Sequence, residues 1–232
     1  MKTCLMLGVL VATLILPASW AEAGVVIDHF KDGFFSLTVN SATTEQIDDQ
    51  TGLVVLGGRR KTTLDWVSGG ATNTVNAQVP NVGPTLHYLT LSDDVTTKST
   101  LKLQYGLDNN LDVDLTQGGM STGVELVFMD SDLGSTLKMT LTDTSGNSFT
   151  VPDISPAGPN NVVFNFTDYI TGNPSLDPTH IKYITFDLIA KENGDYRIDA
   201  IDTKMVPEPA TMLGMLVGVG GLPRYMRRRR KA

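Results

Sequence analysis

Cysteine is nearly absent from this chain. The one cysteine in 232 residues, Cys4, lies in the N-terminal apolar stretch. The rest of the chain therefore has no disulfide and no thiolate metal ligand, and its stability must come from its core. Cys4 also precedes any workable leader length, which excludes it as a lipid attachment site. Basic residues are scarce away from the ends. Glu22, Glu208, Lys2, Arg224 and Arg227 to Lys231 lie outside residues 24–206, which keep 23 acidic and 11 basic side chains, a net of −12. Phosphate binding needs clustered Lys and Arg, so nucleic acid is excluded as a partner. The acidity instead serves solubility or offers ligands to divalent cations. Only three histidines occur, His29, His87 and His180, and none has a neighbour at metal-ligand spacing. There is no Gly-x-Ser-x-Gly elbow, phosphate loop or dinucleotide fingerprint.

Helical periodicity is also missing between residues 24 and 205. The pattern found there is alternation. Leu101, Leu103 and Tyr105 alternate with Lys102 and Gln104, and Leu137, Met139 and Leu141 with Lys138, Thr140 and Thr142. Val162, Phe164 and Phe166 repeat the pattern, as do Tyr196, Ile198 and Ala200. Such period-two runs, bounded by Gly, Asn, Asp and Pro, predict strands. The expected strands are 25–30, 34–40, 52–57, 59–67, 71–79, 85–91, 99–106, 111–115, 123–129, 135–142, 147–151, 161–166, 181–189 and 195–203. Gly57-Gly58, Gly69-Gly70, Gly118-Gly119, Asp108-Asn109-Asn110 and Ser145-Gly146-Asn147 suit tight reversals. A hairpin is expected over Thr136 to Thr150. With 41% hydrophobic residues to form a core, this predicts one all-β domain over 24–205. The expected fold is an antiparallel two-sheet sandwich of jelly-roll type. No fixed repeat supports a solenoid.

The ends read differently. Lys2 precedes an apolar run from Thr3 to Leu16, then Pro17 and the small residues Ala21 and Ala23 around Glu22. This is a signal peptide over 1–23, with cleavage expected before Gly24. Residues 206–232 contain Pro207-Glu208-Pro209, an apolar run to Leu222, and Arg227, Arg228, Arg229, Arg230 and Lys231 at the end. The prolines keep the first part extended, and the basic cluster favours the cytoplasmic side of a membrane. In that order and position, these parts resemble the PEP-CTERM sorting signal. The resemblance implies that Pro207, Glu208 and Pro209 are read by an exosortase and that Arg227 to Arg230 act as the retention signal. It implies a membrane-held precursor and release to the cell envelope or extracellular matrix. One departure stands out. Ala210 to Leu222 gives only about 20 Å of helix, against an apolar bilayer core of about 30 Å. The body also resembles a group of PEP-CTERM precursors whose sandwich begins near an Asp-x-Phe strand and ends in Ile-Asp-x-Ile. Here these are Asp28-His29-Phe30 and Ile198-Asp199-Ala200-Ile201.

Candidate chemistry is sparse. Asp130-Ser131-Asp132-Leu133-Gly134 starts like a calcium loop, but Ser135 and Leu141 stand where an EF-hand needs Gly and Glu. A looser calcium site is open to Asp130 and Asp132, to the Asp108–Asp114 stretch, or to Asp32 meeting Asp199 or Asp202. The bland reading of each is a solvated turn former. The aromatic candidates for a sugar platform are Trp66, Tyr88, Tyr105, Tyr169 and Tyr183, although aromatics in a sandwich are more often core residues. No catalytic residue or resident cofactor is expected. The primary expectation is a non-catalytic surface or matrix protein. The alternatives are a carbohydrate-binding module for exported polysaccharide and a hydrolase or lyase on a jelly-roll scaffold. Two exposed aromatics on a sheet face would mark the former, and paired carboxylates beside a basic residue in a cleft the latter.

Overall fold

The computed structural model describes residues 24–81, 87–107, 111–154 and 158–206. The leader with Ala21 and Ala23, the Asp108–Asn110 turn and the tail from Pro207, with its apolar run and Arg227 to Arg230, lie outside the described residues. Gly24 lies against β13, where a Cβ would stand 2.6 Å from the Thr203 carbonyl oxygen.

Thirteen strands are described. They are β1 Val26–Asp28, β2 Phe35–Asn40, β3 Glu45–Thr51, β4 Arg59–Ser68, β5 Thr74–Val79, β6 Leu89–Asp93 and β7 Lys98–Tyr105. There follow β8 Ser121–Ser131, β9 Thr136–Asp143, β10 Ser148–Ile154, β11 Asn161–Asn165, β12 Ile181–Ile189 and β13 Asp195–Met205. The first sheet runs β11-β8-β13-β6-β5-β2, with β1 also on β13, and the second runs β10-β9-β12-β7-β4-β3. Every pairing is antiparallel. The chain passes back and forth between the sheets, so β3-β4, β5-β6 and β9-β10 are the sequence neighbours paired within one sheet. This is the two-sheet sandwich that the alternation predicts.

The core forms as that alternation requires. Leu37, Val39, Val75, Ala77, Leu89, Leu91, Leu126 and Ile198 from the first sheet meet Leu64, Leu101, Leu103, Leu137, Met139, Ile184 and Phe186 from the second. The expected hairpin is β9-β10, turned at Gly146 with φ 88°. Asp143 accepts the Asn147 backbone N–H at 2.8 Å there.

Four expectations are corrected. Residues 52–57 form no strand, because Gly57 and Gly58 take φ 75° and 70° and the chain makes a short 3-10 turn over Leu56–Gly58. Residues 111–115 give only the single bridge Val113 to Ile181. Glu45–Thr51 is a strand that shows no apolar alternation, since it lies at a sheet edge and both its faces are wet. Finally, the strand expected to reach Phe166 stops at Asn165, and a short helix, α1 Phe166–Gly172, follows. It buries only Phe166 and Tyr169, too few positions to register as a period.

β13 explains the shape of one surface. Along one side it pairs with β8 over nearly its whole length. Along the other it meets β6 at Asp195–Ile198 and then β1 at Ile201–Asp202. Its register slips on both sides of Ile198, leaving Asp199 as an extra residue opposite the change of neighbour.

Candidate functional site

Beneath this surface the sheets are pinned by a buried ion pair. Arg60 faces inward from β4, and Asp28 ends β1. Arg60 Nη1 lies 2.8 Å from Asp28 Oδ2, with neither side chain exposed. Asp28 also accepts the Phe30 N–H at 2.7 Å and the Tyr105 hydroxyl at 3.0 Å. Arg60 donates to the Gly33 carbonyl as well, and its guanidinium lies 5.6 and 5.4 Å from the Phe30 and Phe35 ring centres. The two residues of the Asp-x-Phe likeness thus both engage one arginine, and the two strands of the resemblance are neighbours. Both side chains are fully buried, so the cluster holds the sheets together and is closed to solvent.

The outer face of the first sheet is built from side chains that alternation turns away from the core. Strand register aligns Ser36, Gln78, Thr90, Arg197 and Asp130 across β2, β5, β6, β13 and β8. A second row holds Thr38, Asn76, Ser92 and Asp195. Asp132 closes it, its carboxylate accepting the Asp195 N–H at 2.8 Å. Between the rows lies a half-open hollow of about 320 Å³, lined by Gln78, Thr90, Ser92, Asp130, Asp132, Asp195 and Arg197 among others. The Arg197 guanidinium sits 5.7 Å from the Tyr88 ring centre.

A second hollow of about 410 Å³ opens where β13 changes neighbour. His29 and Lys31 follow β1, His87 precedes β6, and Asp199 and Asp202 come from β13. His29 Nε2 lies 2.8 and 2.9 Å from the two Asp202 oxygens, so that nitrogen carries the proton and donates.

The aromatic candidates divide. Tyr105 and Tyr169 are core residues, the latter donating to the Met139 carbonyl at 2.9 Å. Trp66 packs against the core, and Tyr183 is half-buried on β12 in the second sheet. Of the five, only the half-buried Tyr88 lies beside the hollows, so the pair of exposed aromatics expected of a carbohydrate-binding face is not formed.

The calcium candidates divide as well. Asp32 accepts the Val54 N–H at 2.7 Å and lines neither hollow. Asp130 and Asp132 share the first hollow, and Asp199 and Asp202 share the second. Asp112 lies 2.6 Å from His180 Nδ1, an exposed contact that raises the His180 pKa. Among the described residues, no three His, Asp, Glu or Cys side chains gather closely enough to hold a metal ion.

Paired carboxylates beside a basic residue do occur, as Asp130, Asp132, Asp195 and Arg197. All four are exposed, and their hollow is open to solvent. Gln78, Thr90, Ser92 and Arg197 were not legible as site residues. Alternation marks them as outward-facing, but only strand order brings them together.

No protein-family model matches the chain, and no curated protein matches it. Among solved structures it is similar to the family 11 carbohydrate-binding module of a cellulosomal cellulase of Clostridium thermocellum, at 13% identity and TM-score 0.38. That match covers 79% of this chain and 95% of the module. A family 30 carbohydrate-binding module matches at 14% identity and TM-score 0.43, covering 81% of this chain and 91% of the module. An exo-β-agarase matches at 15% identity and TM-score 0.34, covering 62% of this chain and 24% of that one. At such scores these likenesses carry no argument about ligand or activity.

Proposed function

We propose that the protein is an exported, non-catalytic carbohydrate-binding sandwich that holds polysaccharide on the outer face of its first sheet. The observation that supports this reading is the polar row Ser36, Gln78, Thr90, Arg197 and Asp130, opened into a hollow beside Tyr88. Sugar hydroxyls both donate and accept. A guanidinium and an amide beside carboxylates offer both roles at the spacing of adjacent strands. Tyr88 adds one aromatic surface, so polar contacts rather than stacking set the affinity. Export by the leader, and surface delivery by a tail read by an exosortase, are part of the same proposal. They bring the sandwich to where exported polysaccharide lies.

Affinity electrophoresis of the isolated protein in gels containing neutral polysaccharides tests the reading. At least one polysaccharide should retard the wild type. Arg197→Ala should weaken that binding tenfold or more, corresponding to roughly 1.5–3 kcal/mol for hydrogen bonds to a charged group. Lys102→Ala, on the outer face of the second sheet, should leave it unchanged. No retardation by any polysaccharide, or equal binding by Arg197→Ala, would contradict it.

A further inference from the structure

The geometry points to a ligand that is a linear, uncharged glycan chain lying along β13, with the two hollows as successive subsites. This rests on the carbohydrate reading above and specifies its ligand class. Consecutive stretches of one strand line the hollows: Asp195 to Arg197 the first, and Asp199 to Asp202 the second. They open on the same sheet face. From Arg197 to Asp202 the strand advances roughly 15 Å, more than one sugar ring can cover. The register slip at Ile198 and the handover from β6 to β1 place the second hollow just past the Arg197–Tyr88 contact on the same strand.

Charge narrows the class. The first hollow sets Asp130, Asp132 and Asp195 against Arg197 alone. The second sets Asp199 and Asp202 against Lys31 and the His29 already held by Asp202. The domain around them has a net charge of −12 over residues 24–206. A chain of uronates or sulfated sugars would meet like charge along its length, whereas a neutral chain meets acceptors for its hydroxyls. At the second hollow, the His87 ring and the Asp199 carboxylate line the surface that the far end of such a chain would meet.

Titration calorimetry with the isolated protein and a di-, tetra- and hexasaccharide of the retarding polysaccharide tests this. Affinity should climb more than tenfold from the disaccharide to the hexasaccharide. His87→Ala and Asp199→Ala should abolish that gain while leaving disaccharide binding unchanged. Disaccharide binding without any gain in length would overturn the two-subsite inference and leave the carbohydrate reading standing. So would a gain that both variants retain. Tighter binding of a uronate oligomer of equal length would overturn the neutral class. Absence of binding by every oligosaccharide would overturn both the inference and the reading it rests on.

Discussion

Asp28 and Arg60 show how much one buried pair can decide. Each is fully buried, and each sits in a different sheet. Removing one partner leaves an uncompensated charge in the core, whereas replacing both with apolar residues of similar volume removes the charge altogether. Asp28→Leu should therefore destabilise the fold by about 3–5 kcal/mol in urea unfolding. Asp28→Leu combined with Arg60→Met should recover most of that loss. A single variant as stable as the wild type would show that the pair does not pin the sheets. Part of this was legible. Asp28 stands out in the Asp28-His29-Phe30 likeness, but Arg59, Arg60 and Lys61 are three consecutive cations. Only parity with Leu64 and Trp66 marks the middle one as inward-facing, and nothing local reveals its partner 32 residues away.

At the scale of elements, β6 and β7 are joined by Asp93, the last residue of β6, which turns into the core. The Ser99 hydroxyl donates to its Oδ1 at 2.7 Å, while Oδ2 is buried without a hydrogen-bond partner. Burial, helped by Asp195 and Asp94, pushes this carboxyl up to about 7 against the Ser99 hydrogen bonds. A carboxyl raised on folding stabilises the protein below its unfolded value of about 3.9 and loses that contribution as pH climbs through the folded value. Asp93→Asn should thus melt higher than the wild type well above pH 7, with the gap closing toward about pH 4. Melting curves that stay parallel across that range would contradict this. The sequence marks elements well where one face is dry and the other wet. β2, β5 and β7 follow their alternation closely. It marks them poorly where that contrast fails. β3, with Glu45, Asp48 and Asp49 on a sheet edge, pairs with the cations of β4, Asp49 meeting Arg59 at 2.6 Å. Its strand character comes from that partner and not from its own pattern.

At the scale of the whole molecule, the site depends on strand order, which period-two patterning does not contain. Gln78 and Asp130 lie 52 residues apart and meet the same row because β6 and β13 stand between their strands. That is why outward-facing residues could be recognised one by one but not as a surface. The tail is the reverse case, legible in sequence and outside the described residues. If Pro207-Glu208-Pro209 is the processed element and the arginines only halt translocation, Glu208→Ala should leave membrane insertion intact and block processing. Full-length precursor would then accumulate in membrane fractions on immunoblots. Processing unchanged from the wild type would reduce the tail to a hydrophobic end.

The most direct test of the account is to map where sugar binds, using amide chemical-shift changes on titrating the isotope-labelled protein with the hexasaccharide of its retarding polysaccharide. The account predicts changes concentrated at Gln78, Tyr88, Thr90, Asp130 and Arg197 around the first hollow, and at His87 and Asp199 in the second. Changes confined to Lys61, Lys102, Gln104 and Asp187 on the outer face of the second sheet, or none at saturating sugar, would contradict it.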